Sequence, residues 1–480
     1  WIAEADGQIQ ASVTLLPPMP ADNNPVMNLG RNLFRPGSFE DGSAAELVNK
    51  IHEFNAEENF MQVVRVLASD AAQQALFEEH GYVCIGFQPF KHLHRSREGV
   101  LFYVRAGAKG LEQRLPMSES LPQIGELCTL SLKNCGATPP ALIRDGVTGY
   151  PLKTEISFQD ADLEEYDLWL LQSQSDNPPR EISGSFNLGF GYMRVDSKPH
   201  IKAALGKRET KVVCGITFYY DEHDRCARIV DGFATDDLSM GAMLKPATLV
   251  AQESMNAVYV EIDILSSAPR LIKSAEQLGF APVAYMPAFH TEDGLSTDVV
   301  KLVKLNTSYA LENTSLTEKS EAIVKIVDYN FQDQKTGIAI INLLRGLPIF
   351  EGLGDGELRK IARLFTQKLF RPGEKVFKRG DSGNEAYAVM RGKIDICLEE
   401  NSAPVASLSD GQIFGEQAFL DGAERVAMAV ADKPSILLVM QRNAFYDVVQ
   451  REPHLGMVVM RNIAMDLSNK LRRANTAIKR

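Results

Sequence analysis

The stretch from Phe414 to Met428, Phe-Gly-Glu-Gln-Ala-Phe-Leu-Asp-Gly-Ala-Glu-Arg-Val-Ala-Met, constrains this 480-residue chain more than any other part of it. It follows a series of strands and turns that starts near Leu369, and it precedes an apolar strand at Ser435–Met440 and a helical tail. Gly415 and Gly422 let the backbone approach a ligand with no Cβ in the way, so several N–H groups can be aimed at one anion. Arg425 can add a charge-assisted, bidentate contact to a phosphate. Glu416 can accept hydrogen bonds from a sugar hydroxyl beside that phosphate. These residue types at this spacing predict a pocket for a phosphate and a ribose.

The arrangement resembles the phosphate-binding cassette of cyclic nucleotide-binding domains, the module of bacterial cAMP-responsive regulators and of cAMP-dependent kinases. Phe414-Gly415-Glu416, Ala418, Gly422, Arg425 and Ala427 fall at that family's spacing. Arg371-Pro372-Gly373-Glu374, the run from Gly380 to Tyr387, and Gly392 resemble its early strands and turns, so the resemblance covers about Leu343–Lys479. It implies a β jelly roll with a C-terminal helix. It also implies a cyclic nucleotide held by Phe414, Gly415, Glu416, Gln417, Ala418, Arg425, Val426 and Ala427. Members selective for cGMP tend to carry a Thr directly after the Arg; Val426 has no hydroxyl, which favours cAMP. Asn475 and Thr476 fall about where the family contacts adenine. The alternative is a domain of this fold with a silent pocket.

A chain of this length exceeds a single core, so several domains are expected. The net charge of −11 argues against a general nucleic-acid binder, which would present a basic face. Six cysteines (Cys84, Cys128, Cys135, Cys214, Cys226, Cys397) are scattered without a Cys-x-x-Cys pair, which predicts neither a metal site nor a disulfide framework. Reduced thiols, no apolar run long enough for a membrane span and no visible signal peptide together predict a soluble cytoplasmic protein. The chain opens at Trp1 in what reads as mid-strand, and an N-terminal piece is expected to be missing.

Trp1–Leu16 reads as a hairpin turning at Asp6-Gly7. After the Pro17–Pro20 loop come a strand at Met27–Phe34, a loop from Pro36 to Ser43, a helix, a strand at Met61–Leu67, a helix at Ala71–His80, and strands at Gly81–Phe90 and Gly99–Arg105. This order resembles the GNAT family of N-acetyltransferases from its second strand to its end. A second copy follows. Ala275-Glu276-Gln277-Leu278-Gly279-Phe280 repeats Phe77-Glu78-Glu79-His80-Gly81-Tyr82, with Gly81 and Gly279 as left-handed caps that turn a helix into a strand. Strands at Lys211–Tyr220, Ala227–Ala234, Val258–Leu265, Ala281–Met286 and Asp298–Leu305 complete it. One or two helices are expected in Leu111–Pro140, and the first strand and helix of the second copy in Leu152–Gln172.

In active members of that family a glycine-rich loop wraps the coenzyme A pyrophosphate with backbone N–H groups. The matching positions here are Gly42 and Ser43 in the first copy and Gly241 and Ala242 in the second. The family's arginine is absent from both loops, and acidic residues (Asp41; Asp236, Asp237) stand where phosphates would arrive. The tyrosine that serves as general acid in many members is replaced by Phe77 and Ala275. The candidate catalytic residues are Glu261 and Asp263. In Tyr259-Val260-Glu261-Ile262-Asp263, strand alternation puts both carboxylates on one face, where each could raise the other's pKa and let one act as general base. A solvated strand face or a salt-bridged pair accounts for the same pattern.

The expected architecture is α+β and multidomain. A GNAT-like domain spans 1–110, a connector 111–150, a second GNAT-like domain 151–307, a helical linker 308–342 and a jelly-roll cyclic nucleotide-binding domain 343–480. One reading is a cAMP-responsive protein whose acyltransferase-like module uses acetyl-CoA on a protein or small amine acceptor. The other is a non-catalytic sensor or scaffold with degenerate acetyltransferase folds. No DNA-binding domain is evident. Leu455, Val458, Val459, Ile463, Met465, Leu467 and Leu471 form a helical stripe that fits either a homodimer seam or packing on the chain's own jelly roll.

Overall fold

In a computed structural model of the chain, every residue is described except 17–25, 56–60, 94–95, 108–109, 145–146, 153–154, 175–180, 183–199, 223, 250–256, 293, 308, 312, 354, 363, 401 and 479–480. The Pro17–Pro20 loop and the side chains of Asn475 and Thr476 lie outside the described set. The chain divides into two units, Trp1–Gln332 and Asp333–Arg480.

The strands of the first unit are β1 (Ile2–Ala5), β2 (Gln8–Leu16), β3 (Val26–Phe34), β4 (Met61–Leu67), β5 (Val83–Leu93), β6 (Arg97–Arg105), the short pair β7 (Glu119–Ser120) and β8 (Leu142–Ile143), β9 (Ser157–Ala161), β10 (His200–Arg208), β11 (Lys211–Asp221), β12 (Cys226–Ala234), β13 (Tyr259–Leu265), β14 (Ala281–Glu292) and β15 (Leu295–Leu305). Its helices are α1 (Gly37–Glu40), α2 (Ser43–Asn55), α3 (Ala71–Glu79), α4 (Pro122–Asn134), α5 (Leu163–Gln174), α6 (Asp237–Leu249) and α7 (Pro269–Gln277), with α8 (Glu318–Arg345) leading into the second unit. Local chemistry explains the starts. Asp70 caps α3 by accepting the Gln73 N–H at 3.0 Å, and Pro269 opens α7.

Thirteen strands form one sheet in the order β1-β2-β3-β4-β6-β5-β14-β15-β13-β12-β11-β10-β9. Read from each side towards the middle, it repeats itself. β2-β3-β4-β6-β5 and β11-β12-β13-β15-β14 share one order, and each contains a single parallel pair, β3 with β4 and β12 with β13. The halves meet where Gly86 of β5 pairs with Ala284 of β14, and a Cβ on Gly86 would lie 2.2 Å from that of Ala284. Pro89 and Pro287 follow at matching positions, each before a residue with positive φ, Phe90 at 54° and Ala288 at 58°. The two halves therefore face each other across a local pseudo-two-fold axis. β4 and β13 are buried along almost their whole lengths, although β4 carries Gln62 and Arg65 and β13 carries Glu261 and Asp263.

The 111–140 region holds one helix, α4, within the expectation of one or two, whereas the strand β10 was not expected. The span expected as a polar linker contributes Ile323, Val324, Val327 and Phe331 of α8 to the first unit's core, while Ile340, Ile341 and Leu344 join the second unit's core.

The second unit holds two four-stranded sheets. One is ordered β16 (Phe365–Phe370), β23 (Ser435–Gln441), β18 (Glu385–Arg391), β21 (Ile413–Phe414); the other is β17 (Lys375–Phe377), β22 (Met428–Ala431), β19 (Lys393–Cys397), β20 (Ala406–Ser409). Val389, Ile394, Ala429 and Leu437 from both sheets share one core, as expected of a jelly roll. The helices are α9 (Asp355–Ala362), α10 (Glu416–Asp421), α11 (Arg442–Arg451) and α12 (Pro453–Ile478). Leu455, Val459 and Ile463 of α12 are buried against Ile349, Phe350 and Phe445, so this part of the stripe is used within the unit. No described helix is long and apolar enough to cross a membrane.

Candidate nucleotide site and the sheet interior

The turn after β21 is built around Gly415, whose φ of 77° lies in the left-handed region. It lets the chain leave Phe414 and start α10 at Glu416 within one residue. Phe414 is buried and stacks on Tyr387 with centroids 5.1 Å apart. Glu416 and Ala418 are buried in α10, Gln417 is exposed, Ala427 is half-buried and Val426 is 68% exposed.

Arg425 is the tie of this segment. It is 4% exposed, and it donates from Nη1 to the Gly415 carbonyl at 2.8 Å and from Nη2 to the Glu385 carbonyl at 2.6 Å. Its guanidinium carbon lies 4.3 Å from the Phe377 ring centroid and 5.7 Å from that of Tyr387. Burial pulls its pKa below the usual guanidinium range, against the opposing pull of Tyr387 and Glu385. The Nε–H is also buried and has no hydrogen-bond partner. A buried guanidinium with one idle donor beside a left-handed glycine suits an incoming anion, because an unmade bond there costs about 1–3 kcal/mol.

Two further residues support this turn: Gly383, from the Gly380–Tyr387 run noted in the sequence, and Arg442, which the sequence did not single out. Gly383 packs so tightly that an added Cβ would lie 2.1 Å from the Ala418 Cβ and 2.6 Å from the Ala423 carbonyl oxygen. Arg442 donates from Nε to Phe419 O at 2.9 Å and from Nη2 to Leu420 O at 3.2 Å, which satisfies carbonyls at the end of α10. Arg442 at its offset carries no local signal; only the fold brings it to α10.

The acyl-CoA candidates are placed differently from expectation. Gly42 precedes α2, but the Ser43 N–H already bonds the Asp41 carboxylate at 2.8 Å. Gly241 and Ala242 are not in a loop: both lie inside α6, where a Cβ on Gly241 would meet the Pro151 carbonyl oxygen at 2.1 Å. The start of α6 is satisfied internally. Asp236 accepts the Ser239 N–H at 2.8 Å and is held by Arg208 at 2.9 and 3.1 Å. The hydrogen bond from Arg208 brings the Asp236 pKa down to about 2. Phe77 and Ala275 are fully buried in the core.

Glu261 and Asp263 also require correction. Both are 1% exposed, and both stand in a network of ion pairs. Glu261 bonds Lys91 at 2.9 Å, Arg228 at 3.1 Å and Gln88 at 3.0 Å; Asp263 bonds Arg228 at 2.6 Å and Lys301 at 2.7 Å. Burial alone would raise the Glu261 pKa, but Lys301, Lys91 and Arg228 outweigh it and hold the group well below the usual carboxylate range. Glu261 is therefore a poor proton acceptor. Burial lowers Lys301 to about 8, against the pull of Asp263 and Glu261. Among the described residues no cluster of His, Cys, Asp and Glu could hold a metal ion.

Comparison with known proteins agrees with the second unit's geometry. Residues 367–452 match the cyclic nucleotide-binding domain family. The chain is 33% identical over 135 residues to the cyclic AMP receptor protein of Thermus thermophilus, covering 28% of this chain and 61% of that protein. It is 30% identical over 102 residues to a cAMP-dependent protein kinase regulatory subunit of Yarrowia lipolytica, covering 21% of this chain and 27% of that one. Among solved structures, the Thermus thermophilus catabolite activator protein is matched at 31% identity and a TM-score of 0.25, over 28% of this chain and 62% of that chain. The chain thus spans about three fifths of the bacterial receptor and about a quarter of the kinase subunit. Residues 367–452 are a cyclic nucleotide-binding domain.

Proposed function

We propose that this protein is a cAMP-responsive regulator in which the second unit senses the nucleotide and the first unit is a GNAT-like, non-catalytic binding module. The observation that carries the sensing half is Arg425, a buried guanidinium with its Nε–H unmade beside Gly415. The names of the relatives matched in the bacterial receptor and the kinase subunit support cAMP as the nucleotide. The absence of a hydroxyl at Val426 favours the same choice.

The GNAT-like reading of the first unit is supported by its repeated strand order and by one parallel pair per half. Three observations favour binding over catalysis. The helix starts at Ser43 and Asp237 are met by the chain's own Asp41 and Asp236, Phe77 and Ala275 offer no acid, and Glu261 and Asp263 are locked in ion pairs.

The test is a calorimetric titration of the full chain with cAMP and cGMP, repeated with acetyl-CoA in the presence and absence of saturating cAMP. Tighter cAMP than cGMP binding, lost in Arg425→Ala, is expected, with no heat from acetyl-CoA. Unchanged nucleotide affinity in that variant would sink the site. An acetyl-CoA heat would restore the acyltransferase reading.

A further inference from the structure

The same helix-to-strand turn occurs in both halves of the first unit, and the two copies are built from different chemistry. In the second half Leu278 caps α7, Gly279 turns left-handed with a φ of 92°, and Phe280 enters the core fully buried. Beside this turn the fully buried Val260 of β13 pairs with Lys304 of β15, whose Cε would lie 3.9 Å from a Cβ on Gly279. In the first half His80 caps α3, Gly81 has a φ of 81°, and Tyr82 follows. Gln62 of β4 pairs with Arg105 of β6, whose Nε would lie 3.7 Å from a Cβ on Gly81. Where one copy has Val260, Leu278 and Phe280, the other has Gln62, His80 and Tyr82. The fold itself therefore does not call for polar groups at these positions.

The polar groups converge on the turn. The Tyr82 hydroxyl donates to Gln62 Oε1 at 2.8 Å, which fixes the amide; Gln62 is fully buried, and its Nε2 has no hydrogen-bond partner. His52 stands in the last turn of α2, with its ring 5.6 Å from that of Tyr82 and 5.9 Å from that of His80. Its Nε2 is also buried without a partner. Among the described residues Arg105 makes no hydrogen bond or ion pair. Arg105, His52 and His80 are half-buried, so the cluster can be reached from solvent. Burial first, then Arg105 and His80, bring the His52 pKa down to about 4. The imidazole is neutral at pH 7, and as the Nε2–H tautomer it is a donor. Buried donors are seldom left idle in a native protein.

From this we infer that the first half binds a small organic carboxylate between Gln62, His52 and Arg105. Arg105 supplies the positive charge, and its planar fork matches the two oxygens of a carboxylate. Gln62 Nε2 and His52 Nε2–H are neutral donors. One cation with two neutral donors balances a single negative charge, whereas a phosphate dianion would leave a charge uncompensated beside buried groups. Tyr82 is a positioning residue, because its hydroxyl occupies Gln62 Oε1 and so turns the amide N–H groups, not the carbonyl, towards the ligand. His80 Nδ1 bonds the Leu76 carbonyl at 2.7 Å, which holds that ring beside His52. The inference gives a ligand class to the unit read above as a binding module, and it does not depend on nucleotide sensing.

The experiment uses the full chain with isotope-labelled histidine, titrated with sodium acetate against sodium chloride of equal ionic strength. The readout is local, the NMR resonance of the His52 imidazole, assigned by its loss in His52→Gln. Acetate should shift that resonance saturably where chloride does not, and inorganic phosphate should act at least about tenfold more weakly. Arg105→Met should weaken acetate at least about tenfold and Gln62→Leu about three- to tenfold. Arg105→Lys keeps the charge without the fork and should recover only part of the loss. Thermal unfolding of each variant separates lost binding from lost folding; if Arg105→Met does not fold, Arg105→Lys carries the comparison. Three results would overturn the inference: no saturable acetate shift at His52, phosphate binding as tightly as acetate, or acetate binding unchanged in the folded Arg105 variants. A failure of cAMP to bind would leave the His52 result intact.

Discussion

At the scale of single residues, two buried charge systems behave differently. Arg425 makes two bonds to backbone carbonyls and keeps its Nε–H in reserve, so its loss should harm binding more than folding. Arg425→Ala should reduce cAMP affinity at least about 100-fold, since charge-assisted bonds are each worth about 1.5–3 kcal/mol. Arg425→Lys should recover little, because an ammonium cannot serve both carbonyls and an anion from one plane. Calorimetry checks both. Glu261 is the reverse case, a charge held for structure. Its folded-state pKa lies below the ordinary Glu value of about 4.3, so its contribution is complete above that pH and is lost as pH falls below it. Glu261→Gln should cost about 3–5 kcal/mol at pH 7, because it strips an acceptor from Lys91 and Arg228 inside the sheet. It should also flatten the acid limb of stability, measured by urea unfolding between pH 3 and 7. A variant as stable as the wild type at pH 7 would contradict the network's role.

Between residues and the whole lie the elements, and here the sequence was legible where the signal is contiguous. The cassette could be read because Gly415, Glu416 and Arg425 sit within a dozen residues, and the duplication because Gly81 and Gly279 end equivalent helices. β10 was missed because Lys202, Lys207 and Arg208 interrupt the apolar pattern, yet that same Arg208 holds Asp236. The carboxylates of β13 were read as facing a cleft because alternation presumes one solvated face. In this sheet both faces of β13 are covered, and the cations that neutralise Glu261 and Asp263 come from β5, β12 and β15, between 33 and 170 residues away in sequence. No short-range pattern encodes that. The support of α10 was hidden for the same reason. Arg442→Ala frees the Phe419 carbonyl and leaves that of Leu420 to the Tyr446 hydroxyl alone, and nucleotide affinity should fall about three- to tenfold, with Arg425 untouched. Gly383→Ala should do more, since its Cβ has no space beside Ala418. A titration in which both variants match the wild type would detach α10 from binding.

For the whole molecule, the two units have separate cores, and each draws on a different stretch of α8. Calorimetric unfolding should therefore show two transitions rather than one. Saturating cAMP binds the folded second unit and not its unfolded chain, so at 100 times the dissociation constant it should stabilise that transition by about 2.7 kcal/mol. What happens to the other transition decides whether the protein is a regulator or only a sensor. Without coupling, the first unit's transition stays in place with and without cAMP. With coupling of the size usual for allosteric pairs, about 1–3 kcal/mol, it moves by several degrees, and reciprocity requires a ligand of the first unit to change cAMP affinity by the same factor. Gly86→Val tests the assignment of the two transitions. It forces side-chain atoms into Ala284 at the centre of the thirteen-stranded sheet, so it should lower the first unit's transition alone. If that variant instead lowered the transition that cAMP raises, the nucleotide would be acting on the sheet, and the division of labour between the units would have to be reversed.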